Sequence, residues 1–434
     1  MLARSNFSSI VLIMENDTAV ERNSSLNLSA AVDCEQYIYR TEYLRIRFYL
    51  ISVFASAVAV ISVAENILLM AVFLYRRFYL RNYFIYLMVL AVFDIAHGVS
   101  YVLTMGIGIV YEYFEDYNLK KIWLAYLMPL FTLSHIMICC SAYLLVAVSL
   151  ERFLMANWIS GFMRMRNRVI ALIVVLLIGI ISKASVYFEF SIEYLKDCIG
   201  TDAEYMIIAA PLMHNEYYRK YWAFWYRNVS TILLPFFLLI GLNIGIVIQQ
   251  NWTSTPIFGY RQSTKRRLQC ASTAIEMSSE LRLTPLIARR MMQWAYKARA
   301  KVKKSSTRTL ITIVLEYVLL SSLSVVITLW EHIDPDSLAA NNTFYTLGSD
   351  FTSICTVISC AIRLPTYYIC EFSFRKEMLQ LLRRGKMAST GAMQSTGLQK
   401  VKQRNQTGEI RRRVQFFRLL GISNVIEYFR RRIL

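Results

Sequence analysis

Leu87-Met-Val-Leu-Ala-Val-Phe-Asp94 places a carboxylate near the middle of an apolar run covering residues 83–110. About 20 predominantly apolar residues let a helix cross a hydrocarbon layer of roughly 30 Å, so this run can span a bilayer. Asp94 then lies too deep for its short side chain to reach either surface. An ionisable group at that depth is costly unless it faces a packed or watery interior, so Asp94 must face the inside of a bundle. Six further runs supply that bundle: residues 48–74, 122–150, 168–190, 223–249, 309–331 and 344–370. Each is expected to be helical, because every backbone amide in lipid needs a partner within its own segment, and the ten-residue alternation of a membrane barrel is absent. The expected fold class is an all-α membrane protein, a bundle of seven transmembrane helices.

Composition agrees. Of 434 residues, 56% are hydrophobic, 14% aromatic and only 18% charged, and the mean hydropathy is +0.40, which is too apolar for a soluble single-core enzyme. With 15 Gly, 7 Pro and 8 Cys, the chain is neither disordered, nor collagen-like, nor a small disulfide scaffold. Residues 1–46 lack a clean apolar core followed by a small-residue cleavage site, so the first span is expected to direct insertion itself.

Lys and Arg flanking membrane spans are retained on the cytoplasmic side. The stretches 76–82, 151–168, 251–307 and 375–434 hold 34 basic and 6 acidic residues, whereas 1–46, 111–121, 189–222 and 331–343 hold 9 basic and 18 acidic. The N-terminus is therefore expected outside the cell and the C-terminus inside, with the chain in the plasma membrane. Asn6, Asn16, Asn23 and Asn27 each open an Asn-x-Ser/Thr triplet in the tail, and Asn341 opens another, marking the same side for glycosylation. The net charge of +19 sits in residues 251–307 and 375–434, at +10 and +12, with the remainder at −3. It reports topology and attraction to anionic inner-leaflet lipid, not nucleic acid.

Besides Asp94, the ionisable residues at bilayer depth are Glu65, His97, His135, Lys183, Glu316 and Arg363. Asp94 reads equally as a hydrogen-bonded structural carboxylate or as a cation-binding or switching one. His97 and His135 read chiefly as hydrogen-bonded interior imidazoles. Span three ends in Glu151-Arg152-Phe153, an acid and a base delivered to the cytoplasmic edge, either as a topology anchor or as part of an inner gate. Span seven ends in Arg363-Leu-Pro365-Thr-Tyr-Tyr368. Pro365 should kink the helix, and Phe372 to Arg384 can form a short helix along the inner surface. Cys370, at the same edge, is either a palmitoylation site or a plain interfacial thiol.

Seven spans, a glycosylated outer tail, Asp94 in Leu90-Ala-Val-Phe-Asp94, Glu151-Arg152-Phe153 after span three, and Pro365-x-x-Tyr368 followed after five residues by Phe374 together resemble a rhodopsin-like G-protein-coupled receptor over residues 48–384. The resemblance implies Asn66 as the family Asn of span one and Pro235 as the Pro of span five. It also implies Asp94 as a sodium-site Asp, with an allosteric sodium ion the one cofactor, and Glu151, Arg152, Phe153, Pro365 and Tyr368 as the signalling switch. The stretch Leu212-Met-His-Asn-Glu-Tyr-Tyr-Arg-Lys-Tyr-Trp-Ala-Phe-Trp225, followed by Leu234-Pro-Phe236 and Leu242-Asn243, is similar to invertebrate FMRFamide-type peptide receptors, a resemblance that implies a divergent, nematode member of that group. Tyr187-Phe188-Glu189 and Ser321-Ser322 to Glu331 add to that similarity. The chain departs from the family at Leu364, at Ser322 and Ser324 in span six, at the Trp missing from span four, and at Leu127, where most members carry the outer Cys of span three.

By this resemblance the chain transduces an extracellular ligand, an amidated neuropeptide, to a cytosolic heterotrimeric G protein through a population shift. Glu189 and Glu331 match acid positions of the resembled receptors. With Tyr187, Phe188, Trp222 and Trp225 they are expected to grip the Arg and terminal Phe of such a peptide. Cys34 and Cys198 are the only cysteines assigned outside and are expected to form one disulfide. The alternatives are an orphan chemosensory receptor of the same fold or a nonsignalling scaffold, and a seven-helix transporter or proton-conducting bundle, for which no inverted repeat is visible. With four His, no metal-ligand spacing and no Gly-rich phosphate loop, an enzyme is not expected.

The domain organisation follows. Residues 1–46 form the outer tail and 47–370 the receptor domain, with a long basic third inner loop at 251–307 that becomes helical near its end. Residues 371–384 form the juxtamembrane helix and 385–434 the cytoplasmic tail. Within residues 411–434, Leu419, Ile422, Ile426, Phe429 and Ile433 share one helical face between Arg411-Arg-Arg413 and Arg430-Arg-Arg432, a pattern suited to the inner membrane surface.

Overall fold

The computed structural model describes residues 43–75, 84–156, 165–201, 204–254, 285–334, 337, 342–371 and 374–381. Asn6, Asn16, Asn23, Asn27, Asn341, Cys34 and the tail segment 411–434 lie outside them. Among the described residues seven helices are long and apolar enough to cross a membrane. They are α1 (Leu44–Leu74), α2 (Phe84–Phe114), α3 (Tyr117–Met155), α4 (Met165–Phe188), α5 (Tyr218–Gln250), α6 (Thr307–Ile333) and α7 (Phe344–Cys370). The chain is a multi-pass membrane protein. All seven expected spans are present, several with longer ends. Tyr117-Asn-Leu-Lys-Lys121 shows why: these polar residues lower the hydropathy without breaking the helix.

α1 packs on α2 and α7, α2 on α3, and α3 on α4, α5 and α6, while α6 also meets α5 and α7. α2 is the most enclosed, with 67% of its central window buried against 28% for α4, so α2 and α3 carry the interior and α4 presents an apolar face to lipid. In lipid, helices associate through close packing rather than through the exclusion of water. Gly179 of α4 shows how close that approach is, since a Cβ there would lie 2.2 Å from Cys140 Sγ of α3.

Sequence reading places no strand between α4 and α5, yet an antiparallel hairpin forms there. β1 (Phe190–Tyr194) pairs with β2 (Tyr205–Ala209), with Phe190 opposite Ala209 and Tyr194 opposite Tyr205. Its Phe190, Tyr205 and Ile207 pack on a cluster of Trp123, Leu124, Leu127 and Phe131 of α3 and Val186 of α4. Leu127, where the resembled family carries a Cys, thus belongs to an apolar anchor between α3 and the hairpin. Gly200, in the turn, has φ +82°, a conformation open to glycine. Its N–H reaches Glu204 at 2.7 Å, and the same Glu204 oxygen accepts the Tyr117 hydroxyl at 2.7 Å. These bonds hold the Glu204 carboxyl below the ordinary carboxylate range, the Gly200 N–H contributing most.

α7 is interrupted between Ala361 and Arg363. Pro365 has no N–H to offer the carbonyl of Ala361, four residues back, which accounts for the interruption one turn before the proline, at the place where a kink is expected. Wider π-helical turns occupy Phe48–Ala55, Val102–Gly106, Tyr218–Tyr226 and Val229–Leu233, the last ending just before Pro235. The helix containing α6 is continuous from Pro285 to Ile333, 49 residues, so the stretch expected as a loop with a helical end is helical from Pro285 onward. Residues 374–381 form a further helix in a separate compact unit, within the expected 371–384.

Candidate functional site

The interior at mid-bundle is polar. Asp94 of α2 is fully buried and forms an ion pair with Arg363 Nη1 of α7, their side chains 1% and 4% exposed. The other Asp94 oxygen lies 3.5 Å from Cys360 Sγ. His97, one turn further along α2, has Nδ1 2.9 Å from Ser134 Oγ of α3 and Nε2 3.4 Å from Thr356 Oγ1 of α7, so one imidazole joins three helices. Asn66 donates from Nδ2 to the carbonyls of Ser62 and Cys360, at 2.9 and 3.2 Å, tying α1 to α7 beside the helix interruption. Glu316 of α6 accepts the Thr366 hydroxyl at 2.6 Å.

Beside this network lies a cavity of about 100 Å³, lined in part by Asp94, His97, Ser141, Tyr317, Ser321 and Arg363. A second, of about 90 Å³, is lined in part by His135, Cys139 and Lys183. Ser324, Thr231, Thr352 and Thr356 line both. The departure at Ser324 therefore contributes a small polar wall to this space, whereas Ser322 is exposed and bonds the carbonyl of Leu319 at 2.7 Å. Several hydroxyls line this space, but most of the accessible wall of both cavities is apolar. His135 stands edge-on to Phe131, with ring centroids 4.5 Å apart.

At the end of the bundle away from the hairpin, Glu151 is 1% exposed and is clasped by Arg168 of α4. Arg168 Nη2 lies 2.6 Å from Oε1, and Nε lies 3.2 and 3.1 Å from the two oxygens. Arg152 is also buried, at 5%. Phe153 lies against Gly245 of α5, where a Cβ would come within 2.8 Å of its ring. On α7, Pro365 is exposed and Tyr368 is half-buried, while its neighbour Tyr367 is the enclosed tyrosine, edge-on to Phe73 of α1 at 5.8 Å. Cys370 is half-buried, with Sγ 4.0 Å from Thr312 Oγ1.

At the hairpin end, the residues expected to hold a peptide are either engaged within the protein or exposed. Glu189 is 2% exposed, ion-paired with Arg227 of α5 and bonded to the Tyr218 hydroxyl at 2.7 Å. Glu331 of α6 is buried and accepts the Tyr345 hydroxyl at 2.8 Å. Tyr187 and Phe188 are exposed and meet edge to face at 5.2 Å. Trp222 stacks on Tyr226 at 4.5 Å and Trp225 stands edge-on to His332 at 4.7 Å. Cys198 is buried and is not among the free cysteines of the described residues.

No protein-family model matches the chain, and no curated protein does. Among solved structures, the crystal structure of squid rhodopsin is similar, with a TM-score of 0.54 over 82% of this chain and 91% of that one, at 13% identity. The fold is the rhodopsin fold. Within it, sequence reading missed three residues that organise the candidate site: Arg168, Arg227 and Arg47. Arg47 of α1 binds Asp350 of α7 through Nε at 2.7 Å and Nη2 at 3.3 Å. All three were legible only as basic residues near span edges.

Proposed function

We propose that the chain is a plasma-membrane receptor in which a ligand arriving at the hairpin end, outside the cell, shifts the rhodopsin-fold bundle toward an arrangement that engages a cytosolic heterotrimeric G protein. The observation that carries this reading is the far end of α3. A positive-inside anchor needs no burial and no partner on another helix, yet Glu151 and Arg152 are both buried and Glu151 is held by Arg168. Such a latch can differ between two arrangements of the bundle. The charge asymmetry supports the orientation, with the N-terminal tail outside and glycosylated.

The ligand is an amidated neuropeptide in this proposal. Its support is the resemblance in sequence together with exposed Tyr187, Phe188 and Trp225 at the hairpin end. Glu189 and Glu331 support it less, because an incoming Arg has to displace Arg227 from one and the Tyr345 hydroxyl from the other. Cys34 and Cys198 are proposed to pair, the tail segment 411–434 to lie on the inner leaflet, and Cys370 to carry palmitate. Heterologous expression against a panel of amidated peptides, read as G-protein activation, tests the function. An activating peptide should be found, and Arg152→Ala should reach the surface at near wild-type level while losing activation. Full signalling by that variant returns Arg152 to a topology anchor, and solute or proton flux without G-protein activation favours the transporter.

A further inference from the structure

A carboxylate at mid-membrane depth needs a compensating positive charge. The compensation for Asp94 can come from a dissociable metal ion or from the protein itself. In a rhodopsin-like receptor the resemblance implies a sodium ion at this Asp, so the residues around Asp94 decide whether they fit one.

They do not. A hard cation such as sodium is held by oxygen ligands. Hydroxyl oxygens such as those of Ser141 and Ser359 line the same cavity, but the Asp94 carboxylate they would share with the ion is already neutralised, one oxygen by the Arg363 guanidinium while the other faces the thiol of Cys360, so the site has no charge left for a sodium ion while Arg363 is in place. The nearby imidazole of His97 is spent on Ser134 and Thr356. A second positive charge beside Asp94 would also sit within a few ångströms of Arg363, in an interior where like charges are weakly screened. Arg363 is 4% exposed, so water does little to separate the two.

We propose that Arg363 is the resident cation of this site, and that the protein binds no sodium ion at Asp94. The charge that compensates α2 is carried by α7, two residues before Pro365 and directly after the helix interruption. It is joined to the chain, so it cannot exchange with the bulk. The α2–α7 junction is therefore independent of which monovalent cation is in solution, and a displacement of α7 at its interruption acts directly on the counter-charge of Asp94. The proposal does not depend on the receptor reading, since it is tested without ligand or G protein.

The experiment is thermal unfolding of the purified full chain in nanodiscs, followed by tryptophan fluorescence, in sodium chloride and in choline chloride at equal ionic strength. A bound ion stabilises the state that binds it. The wild type should melt at the same temperature in both salts. Arg363→Gln leaves Asp94 uncompensated, so it should melt lower in choline and recover several degrees in sodium. Arg363→Gln with Asp94→Asn should lose that recovery. A wild-type melting temperature that rises in sodium over choline overturns the proposal, as does an Arg363→Gln variant that folds and stays indifferent to sodium. If Arg363→Gln does not fold, the wild-type comparison still decides, and Arg363→Lys, which keeps a tethered charge, should match the wild type in its indifference to sodium.

Discussion

Arg168→Met is the most direct probe of the latch at the far end of α3. The substitution keeps an unbranched side chain and removes the guanidinium, leaving the Glu151 carboxylate buried with its three bonds of 2.6, 3.1 and 3.2 Å gone. Side-chain exposures of 6% and 1% place the pair among buried ion pairs, for which removing one partner costs about 3–5 kcal/mol. At about 1.4 kcal/mol per tenfold, that is roughly two to three and a half orders of magnitude in the folding equilibrium. Replacing both partners removes the stranded charge, so Glu151→Gln with Arg168→Met should be more stable than Arg168→Met alone. Contacting pairs of this kind couple by about 0.5–3 kcal/mol in a double-mutant cycle. Thermal unfolding of the four proteins in nanodiscs gives the cycle. If the double variant is no more stable than the single one, or the two costs simply add, the clasp contributes nothing and Arg168 is a membrane-edge cation.

Gly179→Ala should force α3 and α4 apart, because its Cβ would meet Cys140 Sγ at 2.2 Å; a loss of about 1–3 kcal/mol, largely relieved by Cys140→Ala, is expected in thermal unfolding. Glu204 has a depressed pKa when folded, so its contribution to the hairpin is complete above the ordinary Glu value of about 4.3 and is lost as pH falls through the lower folded value. Hydrogen exchange across the 196–209 segment should therefore quicken in acid, after correction for intrinsic rates, and Glu204→Gln should flatten that dependence. Alkylation without reductant should leave Cys34 and Cys198 unlabelled; labelling of both would remove the proposed bridge. A peptide of residues 409–434 should gain helicity by circular dichroism on vesicles containing phosphatidylserine and little on neutral ones, and equal, negligible helicity on both would sink the membrane reading.

The spans were legible because crossing a bilayer demands length and apolarity, which a sequence displays directly. Their ends were less so, since a helix continues through Tyr117-Asn-Leu-Lys-Lys121 where hydropathy falls. Depth alone identified Asp94 and Arg363 as interior groups. Their meeting was not readable, because 269 residues separate them and the periodicity of each helix says nothing about its rotation against another. Charge counts assign a side of the membrane but not a partner. Arg47, Arg168 and Arg227 therefore read as edge cations, while in the fold they neutralise Asp350, Glu151 and Glu189. The same limit affects the proposed peptide site: Glu189 and Glu331 are acids at the expected end of the bundle, and only the structure shows that each is engaged within the protein. The hairpin was not legible because its two strands are only five residues long and lie in a connection of mixed polarity between two spans.

The continuous helix from Pro285 to Ile333 has a mechanical consequence. Only its last 27 residues belong to the membrane span, so about 22 residues extend beyond it on the side assigned to the cytosol, some 33 Å at 1.5 Å per residue. An uninterrupted rod of this kind is a lever. A tilt of about 10° at the membrane edge, well within the variation of helix packing angles, carries its far end through roughly 6 Å. The longer the rod, the smaller the rearrangement among the buried groups of the bundle that is needed to present or withdraw a surface in the cytosol.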